Sequence, residues 1–103
     1  MKVSEVSDYI PSLSLVKNEE VILTGICDRH NLEGHKVYFC GGKTFVEVIQ
    51  NYQGNDLVIF FDKSFYESLG EDSQELEAKA SVVATVDNIP LLVHGLSCNT
   101  MEN

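Results

Sequence analysis

Between residues 76 and 86 apolar and polar positions alternate. Leu76, Ala78, Ala80, Val82, Ala84 and Val86 fall on one side of an extended chain, and most residues between them are polar. A period of two marks a strand with one buried face and one wet face. Shorter runs lie upstream: residues 21–28 (VILTGICD), then 35–40 and 44–50 on either side of Gly41-Gly42. That glycine pair is either a tight turn or a bulge within one bent strand. Residues 57–61 (LVIFF) are apolar throughout, as expected of a strand buried on both sides. Residues 89–96 (IPLLVHGL) close the series, and Pro90 suits an edge or a strand start. Turn-forming residues separate the runs. Among them Gly34 ends Asn31-Leu32-Glu33-Gly34 and is free to take φ > 0.

One segment carries a helix signal. Ser64 and Glu67 have capping-box spacing, Gly70 suits a stop one turn later, and Phe65 and Leu69 fall on one face. Ahead of the strands, Val3, Val6, Tyr9, Ile10 and Leu13 line one side of a short helix or irregular arm, which Pro11 keeps short. The expected organisation is a lead-in arm over residues 1–19, packed on a β-domain over 20–98, with a frayed tail at 99–103. The fold class is all-β with one short helix.

The order strand, one or two strands, strand, short helix, strand, strand resembles the oligonucleotide/oligosaccharide-binding barrel, the OB-fold. Residues 6–13 (VSDYIPSL) followed by 20–26 (EVILTGI) look like the entry to such a barrel, and the resemblance spans residues 6–98. It implies a five-stranded barrel, or six strands if Gly41-Gly42 is a true hairpin turn. The ligand face would lie on the second and third strands.

Composition sets the class. A chain of 103 residues that is 44% hydrophobic makes one ordinary globular domain. It has no run of about 18 apolar residues, so no membrane span is expected. Residues 1–8 (MKVSEVSD) are too acidic and polar for a signal peptide. Three cysteines, Cys27, Cys40 and Cys98, are no disulfide framework. An intracellular, non-secreted protein is expected. The charge is acidic, with 16 acids against 7 bases, which repels phosphate and favours basic partners. Between Arg29 and Tyr52 the balance reverses, because Arg29, Lys36 and Lys43 outnumber Glu33 and Glu47. The densest acidic cluster is Glu67, Glu71, Asp72, Glu75 and Glu77, read as a solvated face or as a surface for a basic partner.

Three chemistries are weighed against these residues. Cys27, His30, His35 and Cys40 have the spacing C-x2-H-x4-H-x4-C, which resembles a zinc knuckle with histidine in place of the second cysteine. The outer two sit inside apolar runs, so a β-hairpin turning at residues 31–34 accounts for them without metal, and no cofactor is expected. Tyr38, Phe39, Phe45 and Tyr52 interleave with Arg29, Lys36 and Lys43, as a single-strand nucleic-acid face requires. Alternation places Tyr38 and Tyr52 outside and Phe39 and Phe45 inside. Catalysis has no base–nucleophile–orienter set: the histidines are His30, His35 and His94, and no nucleophile elbow or phosphate loop is present. The expected function is therefore a non-catalytic OB-like adapter that binds a protein partner within a nucleic-acid-handling assembly. Two alternatives stand beside it. One is direct single-strand binding through Arg29, Lys36, Tyr38, Lys43 and Tyr52. The other is an acidic nucleic-acid mimic acting through the cluster from Glu67 to Glu77.

Overall fold

The computed structural model describes Lys2, Glu5 and residues 13–19 and 21–87. Five strands form one sheet: β1 (Ser14–Asn18), β2 (Gly25–Ile26), β3 (Lys36–Cys40), β4 (Leu57–Asp62) and β5 (Ala80–Val86). Helix α1 (Lys43–Gln50) joins β3 to β4; α2 (Lys63–Leu69), a 3-10 turn (Gly70–Asp72) and α3 (Ser73–Glu77) join β4 to β5. The strand order is β1-β5-β4-β3-β2. β1 runs antiparallel to β5, and the other three pairings are parallel.

The number of strands in one sheet agrees with the sequence reading; their directions do not. An OB barrel is an antiparallel closure. Here β1 and β2 stand at opposite ends of the order, and no barrel closure is seen among the described residues. Parallel neighbours need a crossover, and the crossovers are the helices that alternation concealed. Residues 44–50, expected as a strand, are helical. Phe45, Val46 and Ile49 share a face that packs on the sheet, while Lys43, Thr44 and Glu47 are exposed. β-branched residues satisfied both periods, and tertiary packing chose the helical one.

The strand expected from residue 76 begins only at Ala80. Leu76 is buried on α3, and Ala78 is exposed in the turn that follows. Nor has β5 a wet face, since Ser81, Val83 and Thr85 are buried along with Val82, Ala84 and Val86. Both faces are covered: Ala80 and Val83 pack under the helices with Ile49 and Leu76, and Val82, Ala84 and Val86 pack in the layer that holds Leu23, Leu13 and Val21. Leu57, Val58, Ile59, Phe60 and Phe61 are fully buried, as the continuous run predicted.

Other local expectations shift. Ser14–Asn18, expected in the lead-in arm, is edge strand β1. Of residues 21–28 only Gly25 and Ile26 are regular strand, parallel to β3, so no β-hairpin forms around residues 31–34. Within that loop His35, not Gly34, takes positive φ (63°). The glycine pair at 41–42 is neither turn nor bulge; it leads from β3 into α1, with Gly42 as N-cap. Helix α2 forms where expected and stops at Gly70 (φ 56°), but Asp62 caps it, accepting from the Phe65 N–H at 3.3 Å. The expected strand at 89–96 and the tail at 99–103 lie outside the described residues.

Alternation along β3 and β4 sorts the core into two layers. Val37, Phe39, Val58, Phe60, Val82, Ala84 and Val86 form one, with Leu23, against which Leu13, Val21 and Ile26 pack. Tyr38, Cys40, Leu57, Ile59, Phe61, Ala80 and Val83 form the other, with Ile49 and Leu76 from the helices. Each connection from β2 to β5 steps one place in the same direction, so all three helices lie over this second layer.

Candidate functional site

A cleft of ≈ 470 Å³ opens at the carboxyl ends of β2 and β3. Its lining comes from both sides of the sheet: Ile26 and Phe39 from the first layer, Tyr38 and Phe45 from the helix-covered one. Cys27, Asp28, Arg29 and His30, which leave β2, form its wall and mouth. Helix α1 delivers Phe45 because Gly41-Gly42 ends β3 and lets the chain turn at once into the helix.

The polar groups stand at the mouth. Asp28, Arg29 and His30 are exposed, and the Asp28 Oδ1 accepts the His30 backbone N–H at 2.9 Å. The Arg29 guanidinium lies over the Phe45 ring, 5.8 Å from its centroid, a contact of about 0.5–1 kcal/mol at an exposed site. The lone ion pair among the described residues is Lys36–Glu33 at 2.5 Å, so Arg29 carries no carboxylate there. Inside, Tyr38 is 1% exposed, and its hydroxyl donates to the Phe45 carbonyl at 3.0 Å. Burial pushes the Tyr38 phenol well above the usual range. Burial likewise raises the half-buried Cys27 thiol, whose Sγ lies 3.9 Å from the carbonyls of Glu33 and Lys36. Such a thiol stays protonated at neutral pH and is no nucleophile.

The sequence-predicted site residues separate. Arg29 and Tyr38 meet at the cleft, but Tyr38 is buried rather than outward-facing. Phe39 is inside as expected, and Phe45 is only partly so. Lys43 opens α1, two residues ahead of Phe45, and is exposed. Lys36 is engaged with Glu33. Tyr52 is at the other end of the sheet, where its hydroxyl donates to the Asp56 Oδ1 at 2.6 Å. The five nucleic-acid candidates therefore do not share one face.

The knuckle residues Cys27, His30, His35 and Cys40 do not form a metal site: no three His, Cys, Asp or Glu side chains among the described residues are placed to hold an ion. Cys40 is instead core, and burial pushes its thiol up to about 12. The acidic residues Glu67, Glu71, Asp72 and Glu75 are exposed on α2, the 3-10 turn and α3, and Glu77 is half-buried. Sequence reasoning did not bring Ile26 and His30 together in one cleft. The signal was the glycine pair, which marks where a strand can pass directly into a helix and raise a side chain such as Phe45 over the strand ends.

No protein-family model, curated protein or solved structure matches the chain. No helix among the described residues is long and apolar enough to cross a membrane.

Proposed function

We propose that this chain is a non-catalytic docking module that binds a protein partner through the cleft at the carboxyl ends of β2 and β3. The observation that carries the reading is the composition of that cleft. Its interior is apolar and aromatic, its polar groups are confined to the mouth, and the Cys27 thiol beside it is held protonated. A pocket of this kind orients a bound group rather than activating one.

Direct nucleic-acid binding is the weaker reading. It needs several exposed platforms, yet Tyr38 is buried and Tyr52 is occupied elsewhere. The net charge of −9 also opposes a polyanion. The acidic-mimic reading keeps its exposed carboxylates on α2 and α3, and no further observation favours it.

Selection of a displayed random-peptide library on the immobilised chain tests the proposal. A recurrent motif that binds the wild type and is lost in Phe45→Ala is expected. Recovery of unrelated sequences indifferent to Phe45→Ala overturns it. A labelled single strand that binds tightly at about 50 mM salt and releases as salt rises would transfer the function to nucleic acid.

A further inference from the structure

We infer that the cleft receives an aromatic side chain of the partner, presented beside a carboxylate that pairs with Arg29. This rests on the docking reading and gives it a chemistry. The volume of ≈ 470 Å³ has room for a ring together with the residue beside it, and Ile26, Tyr38, Phe39 and Phe45 offer apolar and aromatic surface to it. Phe39 and Phe60 already meet edge to face (88°) beneath, so the aromatic packing of the core continues upward into the cleft.

Charge sets the neighbour of that ring. The contact with the Phe45 ring does not satisfy the N–H donors of the Arg29 guanidinium, and a carboxylate is their natural bidentate partner. Asp28 does not fill that role, since no ion pair joins it to Arg29 and its Oδ1 takes the His30 N–H. A basic side chain at this position would meet Arg29 instead.

The test uses three blocked peptides against the full chain, followed by amide chemical shifts: Gly-Phe-Asp-Gly, Gly-Phe-Lys-Gly and Gly-Ala-Asp-Gly. The first is expected to move the signals of Ile26, Arg29, His30 and Phe45, and to bind at least about tenfold more tightly than either analogue. Arg29→Glu should reverse the preference toward the lysine peptide, and Arg29→Gln should abolish it while leaving the spectrum folded. Equal binding of the aspartate and lysine peptides overturns the carboxylate partner but leaves docking intact. Binding of phenylacetate with none of the peptides overturns docking itself, leaving a small-molecule cleft.

Discussion

The two ends of the sheet follow opposite plans. At the amino ends of β3 and β4 polar groups from separate loops are bonded to one another. The Asp56 carbonyl accepts the His35 N–H at 3.0 Å, its carboxylate accepts the Tyr52 hydroxyl at 2.6 Å, and Lys79 donates to the Tyr52 carbonyl at 2.6 Å. At the carboxyl ends of β2 and β3, Arg29 and His30 reach solvent beside a partly exposed ring. Groups bonded to one another stabilise a fold, whereas groups left at the mouth of an apolar cleft keep their bonding capacity for something else. The difference is what the proposed docking function rests on: spare bonding capacity at one end, stability at the other.

The largest expected effect lies in the core at the end of β3. Cys40 ends β3 in full burial, and its thiol is pushed from 9.0 to about 12. The unfolded chain releases this proton first, so above pH 9 unfolding is coupled to proton loss and alkali favours the unfolded state. Stability should fall by about 1.4 kcal/mol per pH unit between the two values from this group alone. Urea denaturation from pH 8 to 12 measures it. In Cys40→Ala the fall should be shallower, carried by the half-buried Cys27 thiol and, above pH 10, by Tyr52 and Tyr38; a profile unchanged by that substitution would show that the Cys40 thiol is not closed off from solvent.

Breaking the opposite end comes next. A Cβ on Gly34 would lie 2.0 Å from the Asp56 Oδ2, so Gly34→Ala must displace the carboxylate from Tyr52. A loss of about 2 kcal/mol is expected in chemical denaturation. Tyr52→Phe removes only the hydroxyl and should cost about 1 kcal/mol. The Asp56 bond, with burial, holds the Tyr52 phenol up to about 12, so ultraviolet titration should lose a late-ionising tyrosine in that variant. Peptide binding at the cleft should survive both changes.

How far this division could be read from the chain depends on which residues carried a single meaning. The LVIFF run read as a doubly buried strand and Ser64 to Gly70 as a short helix, and both formed, although the helix cap proved to be Asp62. Residues 43–50 satisfied two periods at once, because Phe45, Val46, Val48 and Ile49 suit a strand by type and a helix by spacing. Reading them as strand removed the crossover, and with it the parallel order that brings Arg29 to Phe45. Tyr38 and Tyr52 were legible as aromatic positions but not as buried or occupied ones. Their partners, the Phe45 carbonyl and the Asp56 carboxylate, become neighbours only once the sheet and α1 are in place.

The smallest expected effect on stability makes the sharpest test of the comparison. Arg29 is exposed, has no ion pair, and touches the fold chiefly through the Phe45 ring. Arg29→Ala should therefore lower unfolding free energy only by the cation–π contact, about 0.5 kcal/mol at so exposed a site. The same change should remove the preference for an acidic peptide, because the charge that reads it is gone. A residue that serves the fold would show the reverse, as Tyr52→Phe should: a measurable loss of stability with binding intact. If Arg29→Ala destabilised the chain as much as Tyr52→Phe, the mouth of the cleft would be structure rather than an interface, and the contrast between the two ends would collapse.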